Sequence, residues 1–120
     1  MSGTPLSFEV VREIAGAWPE VEEGTTYRAP CLRFRGKLLT CLAVHSSAEP
    51  HSLVVAVGFD QRAQLAASNP DVYYWTEHYE KYPYVLVRMS RIRRDSLRAL
   101  LEQARSFVAH ESADKAARGS

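Results

Sequence analysis

The period of the hydrophobic positions changes several times along the chain, and each change marks an element. Phe8, Val11, Ala15 and Trp18 recur at helical spacing, flanked by Val10 and Ile14. Thr4 and Pro5 supply an N-cap with proline at the first helical position, and Ser7 is a second candidate cap. Pro19 ends this helix at about Trp18, because it lacks a donor and disfavours helical backbone in the residue before it. A glutamate-rich turn follows at residues 20–24, and the period then becomes two. Residues 25–28 read as a short strand ending before Pro30. Residues 31–35 alternate, with Leu32 and Phe34 on one face and Cys31, Arg33 and Arg35 on the other. Gly36 supplies a turn, and residues 37–44 return as the partner strand of a hairpin.

A polar loop over residues 45–52 leads to a strand at 53–59, and Asp60 can cap a short helix over 61–67 that ends by Asn69 and Pro70. The aromatic segment 73–84 has extended ends and a loop in its middle; residues 84–89 are too uniformly apolar to have a wet face and predict a central strand. The last helix runs from Arg94 to about Ala109 on a stripe of Leu97, Leu100, Leu101, Ala104, Phe107 and Val108. Residues 110–120 lack an apolar period and are expected to form a flexible tail. The order α-β-β-β-β-α-β-α predicts an α+β domain over residues 1–109: one mainly antiparallel sheet with the N- and C-terminal helices packed on one face.

Composition narrows the class. A chain of 120 residues, 46% hydrophobic and 24% charged, can bury a core of its own and is neither disordered nor a disulfide scaffold. Its apolar runs are too short to span a bilayer, and no charged-then-apolar signal segment opens the chain, so a cytoplasmic address without membrane contact is expected. Cys31 and Cys41 form no CxxC and fit no zinc-finger spacing; two reduced, half-buried thiols are the plain reading, with a cross-hairpin disulfide as the alternative. The formal net charge of +1 excludes binding to nucleic acid by bulk charge. That total hides a polarised distribution. Five glutamates stand against Arg12 alone up to Glu23, and Arg88, Arg91, Arg93, Arg94 and Arg98 stand against Asp95 alone. Arginines at a helix N-terminus need an answering anion, which is either an external phosphate or the glutamates of the first helix.

Three groups of side chains carry candidate chemistry. Arg33, Arg35 and Lys37 form a basic hairpin wing that could rest on phosphates. The aromatic segment holds five of the six tyrosines, and from it Trp75, Thr76, His78, Tyr79, Lys81 and Tyr82 are candidates for stacking bases or lining a ligand or protein site. Against both stands the plain alternative of solvated surface charge and of rings packed on the sheet. The histidines are scattered, and no nucleophile-elbow, zincin, P-loop or dinucleotide pattern is present. No catalytic residue, metal ligand or cofactor is assigned; Cys31 with His78 is the one nucleophile–base pairing that sequence separation leaves open.

Two stretches carry a family resemblance. Glu22-Glu23-Gly24-Thr25-Thr26-Tyr27 with Pro30-Cys31-Leu32-Arg33-Phe34-Arg35-Gly36-Lys37 is similar to the "EEG…Y…P.FR..GK" signature of the MmcQ/YjbR-like family. Thr76-Glu77-His78-Tyr79-Glu80-Lys81-Tyr82-Pro83-Tyr84-Val85-Leu86-Val87-Arg88 resembles that family's "TPHY.GYPWVLVR" segment. Arg28, Glu77 and Lys81 depart from the pattern, as does Arg93-Arg94 at the start of the last helix. The resemblance implies a small bacterial α+β fold akin to frataxin, with two protruding β wings and a DNA-binding role assigned by fold analogy. A monomeric, non-enzymatic DNA-binding domain that grips phosphates through Arg33, Arg35 and Lys37 is therefore the first expectation. A protein- or small-ligand-binding domain using residues 73–84 is the alternative. Frataxin-type iron attraction is a minor one, since Glu9, Glu13, Glu20, Glu22 and Glu23 are few and Arg12 interrupts them.

Overall fold

The computed structural model of the chain describes residues 7–26 and 29–118, with side chains as far as residue 111. Thr4, Pro5 and Arg28, singled out from the sequence, lie outside the described residues. The elements are α1 (Phe8–Ala15), β1 (Val21–Thr26), β2 (Ala29–Phe34), β3 (Lys37–Leu42), β4 (Ser52–Ala56), α2 (Phe59–Ser68), β5 (Tyr73–Tyr74), a 3-10 turn (Glu77–Tyr79), β6 (Tyr84–Arg88) and α3 (Arg94–Arg118). The strands form one six-stranded sheet in the order β1-β2-β3-β4-β6-β5, antiparallel at every pairing. This is the expected α+β architecture. Among the described residues, no helix is long and apolar enough to cross a membrane.

The centre of the sheet is buried on both faces. Leu53 and Val55 of β4 and Val85 and Val87 of β6 join the main core with Phe8, Val11 and Ile14 of α1 and Leu97, Leu100, Leu101 and Val108 of α3. Val54 and Leu86, one step along the same strands, join a smaller core on the opposite face with Cys31, Cys41 and Tyr79. Double burial explains the unbroken apolar runs of these two strands, and each large side chain so enclosed contributes about 1.5–3 kcal/mol.

Four boundaries differ from expectation, three of them because a tertiary contact outweighs a local preference. The glutamate-rich turn is instead the first half of edge strand β1, with Glu22 opposite Arg33 and Glu23 opposite Leu32; acidic side chains on an exposed edge keep it from pairing with other chains. Helix α1 stops at Ala15, and Trp18 beyond it packs on the main core beneath the Arg105 guanidinium, 4.2 Å from its ring. Helix α2 begins at Phe59 rather than behind an Asp60 cap, because Val57 and Gly58 both donate to Pro83 O, at 3.1 and 3.0 Å, and so set where the chain turns. Helix α3 continues to Arg118, past the Ala109 at which the apolar stripe ends. Tyr73–Tyr74 adds a short sixth strand beside β6.

Gly58 has φ +95°, and a Cβ there would sit 2.9 Å from Phe107 Cε1, whereas Gly36 (φ +81°) has nothing within 4 Å of that position. Gly36→Ala should therefore cost only the left-handed backbone penalty of about 1–2 kcal/mol, while Gly58→Ala adds an overpacking cost of about 1–3 kcal/mol. Urea denaturation of the two variants checks this, and equal losses would show that the Phe107 ring yields freely.

Candidate functional site

On the sheet face away from α1 and α3, the smaller core covers only part of the surface and leaves a cleft of about 650 Å³. Arg33, Leu38, Cys41 and Val54 line it from β2, β3 and β4; Leu42, Val44 and His45 lie along one side, His78, Tyr79, Tyr82 and Tyr84 along the other, and Thr26 at β1.

The floor depends on a bulge. Arg33 pairs with Leu38 but Leu32 pairs with Thr40, so Leu39 is an extra residue in β3. Strict alternation from Leu38 would send Cys41 toward the helices. The extra residue instead turns Thr40 to the same side as Leu32 and brings Cys41 opposite Cys31 on the cleft side. Thr40 is fully buried there and donates its hydroxyl to Val54 O at 2.7 Å, so the register carries no unpaired polar group.

The opposite wall is residues 76–82, held from beneath by Arg62. This side chain is 4% exposed and donates to Tyr79 O at 3.1 Å, Tyr82 O at 2.8 Å and Glu80 O at 3.4 Å. Its guanidinium lies 4.2 Å from the Trp75 ring and 5.0 Å from that of Phe59. Burial lowers its pKa, opposed by the carboxylate of Glu80. Trp75 donates Nε1–H to Glu80 Oε1 at 2.9 Å and so belongs to this clamp rather than to the cleft. At the rim, His45 and His78 stack with centroids 3.5 Å apart and planes 10° from parallel, and Tyr82 stacks on Tyr84 at 5.6 Å. Ser47 Oγ lies 2.8 Å from Thr76 Oγ1 and joins the two walls. Tyr79 is buried, which raises its phenol pKa and keeps it neutral.

The predicted site residues are thus divided. Arg33, His78, Tyr79 and Tyr82 meet at the cleft; Trp75 and Thr76 support its wall, and Lys81 is exposed elsewhere on the same segment. The hairpin wing does not form one basic surface. Arg35 (φ +54°) occupies the turn, not the outward strand face, and its Nε reaches Glu20 Oε2 at 2.7 Å. Lys37 pairs with Phe34 and so lies on the helix side of the sheet, away from Arg33. Internal glutamates answer most of the later arginines: Arg94 reaches Glu13 at 3.1 Å, Arg98 reaches Glu102 at 3.6 Å, and Arg88 grips Glu49 at 2.6 Å. Arg33 makes no ion pair among the described residues; its Nη1 donates to Cys31 Sγ at 3.2 Å. Among the described residues no hydrogen bond joins Cys31 to His78: Cys31 Sγ accepts from Arg33, and His78 stacks on His45. Among the described residues no cluster of His, Cys, Asp and Glu side chains could hold a metal ion. Sequence reasoning missed His45, Leu38, Cys41, Val44 and Val54 as cleft residues, since no local pattern marks them.

No protein-family model and no curated protein matches the chain. Among solved structures it is similar to the Deinococcus radiodurans protein DR2400, which carries a DUF419 domain. The match has a TM-score of 0.70 at 16% identity and covers 88% of this chain and 81% of that one. The likeness is one of fold.

Two outcomes are expected here. Arg62→Met leaves the carbonyls of Tyr79 and Tyr82 without their donor, so stability in urea should fall by about 3 kcal/mol and protease should cut residues 76–82 sooner. The Arg88 hydrogen bonds hold Glu49 below its ordinary value of 4.5. The pair therefore stabilises the fold above that pH and is lost as pH falls below it. Glu49→Gln should be less stable than wild type at neutral pH, with the difference closing below about pH 4, as thermal melts across pH will read.

Proposed function

We propose that the chain is a non-enzymatic binding domain whose cleft takes a small amphipathic molecule carrying an anionic group. The observation that carries this reading is the position of Arg33, a cation without an ion-pair partner among the described residues, in a cleft otherwise lined mainly by Leu38, Leu42, Val44, Val54 and tyrosine rings. A permanent fork of donors fixes an anion, and the apolar walls take the rest of the ligand. Val44 and Tyr82, 56% and 48% exposed, stand at the mouth where such a molecule would cover them. A domain acting as a cytoplasmic monomer is part of this reading.

We also infer membership of the MmcQ/YjbR-like family, which the paired motifs and the DUF419-type fold both support. The DNA-binding role that the resemblance implies draws less support. Arg35 is held by Glu20, Lys37 lies on the other face, and Arg88, Arg94 and Arg98 are each paired with a glutamate.

Titration with anilinonaphthalene sulfonate, an aromatic anion of the right class, tests the proposal by fluorescence. Saturable one-site binding is expected, weakened about tenfold or more by Arg33→Gln, as for loss of a charge-assisted hydrogen bond, with circular dichroism unchanged. Binding indifferent to Arg33, together with salt-steep binding of a DNA duplex by wild type, would reject the cleft and favour the DNA reading.

A further inference from the structure

Cys31 and Cys41 are the chain's two cysteines, both are buried as free thiols, and the β3 bulge sets them directly opposite each other on the cleft face. We propose that they form a reversible thiol–disulfide site, oxidised by hydrogen peroxide reaching them through the cleft. Directly opposed residues of an antiparallel pair have Cα atoms about 4.5–5.5 Å apart, within the roughly 4.4–6.8 Å that a disulfide spans. Both side chains belong to the same small core, so the sulfurs share one side of the sheet. A bridge here needs no exchange of strands and no change of register.

The surroundings supply access and charge. Cys41 lines the cleft, whereas Cys31 is fully buried behind the Arg33 guanidinium. Gly24 lies opposite Cys31 on β1, and a Cβ there would come within 3.2 Å of Arg33 Nη1. The glycine thus leaves room for the guanidinium to lie against the sulfur. Burial and the neighbouring Cys31 push the Cys41 thiol up to about 12, so it stays protonated at neutral pH. One of the two sulfurs, with the Arg33 guanidinium beside the pair, attacks peroxide: it bonds to one oxygen, the O–O bond breaks, and hydroxide leaves. The other sulfur then attacks that sulfenic acid; the S–S bond forms as the S–O bond breaks, and the second hydroxide leaves. The two thiol protons complete both hydroxides as water, so two thiols and one peroxide yield one disulfide and two waters, and a dithiol reductant reverses it.

Intact mass spectrometry of the folded full-length chain after graded hydrogen peroxide tests the site. The expected product is a monomer about 2 Da lighter, with peptide mapping joining Cys31 to Cys41 and dithiothreitol restoring the original mass. Arg33→Gln should slow its formation about tenfold, as for removal of an activating cation. Cys41→Ser, which removes one partner of the pair, should stop at a sulfenic acid on Cys31 that dimedone captures. The wild-type mass decides the matter even if that variant does not fold. An unchanged mass, oxygen adducts without the loss of two hydrogens, or a disulfide-linked dimer would each overturn the proposal.

Discussion

Strands β4 and β6 bury apolar side chains on both of their faces, and this sets the layout of the whole domain. A sheet with two adjacent inner strands that are apolar on both faces must be covered twice. Helices α1 and α3 cover one face over the middle of the sheet. The other is covered only by the aromatic segment that precedes β6 and the loop that precedes β4. That second cover is short: Tyr79 joins Cys31 and Cys41 in the smaller core, and the rest of the hairpin's face stays open. The cleft is what it leaves open, with its floor built from β2, β3 and β4 and its wall from the cover's own edge.

Arg62 makes this cover stiff enough to serve as a wall. A segment as irregular as residues 76–82 exposes carbonyls that must be paired when they turn inward. One buried guanidinium reaches three of them while lying against Trp75 and Phe59. Arg88 does similar work at the next strand end, holding Glu49 and the carbonyls of Pro70 and Asp71. The arginines of this chain are therefore largely structural cations. Their pairing with glutamates, most of them distant in sequence, leaves the cleft's Arg33 as the one whose charge faces an open site without an ion-pair partner among the described residues.

The bulge at Leu39 has the widest consequence of any backbone irregularity in the sheet. By shifting the alternation of β3 by one residue, it places Cys41 in the cleft opposite Cys31 and buries Thr40 against Val54 O. The binding site and the proposed thiol pair share this floor, with Arg33 touching both.

Much of the architecture was legible in the pattern of residues alone. The helical stripes of α1 and α3, the alternation of Leu32 and Phe34, and the continuous apolar runs of β4 and β6 are local records of burial, and burial is what hydrophobic periodicity encodes. From them follow the α+β class, the antiparallel hairpin and the terminal helices on one face. The candidate site was legible only in part. Arg33, His78, Tyr79 and Tyr82 were visible as unusual residues, but their neighbours His45, Val44 and Cys41 carry no signal of their own. Three-dimensional folding decided that glutamates continue into β1, that Arg35 turns back to Glu20, that Lys37 faces away from Arg33 and that Cys41 meets Cys31. Each depends on a partner far along the chain or on one inserted residue, and neither the partner nor the register is written in local periodicity.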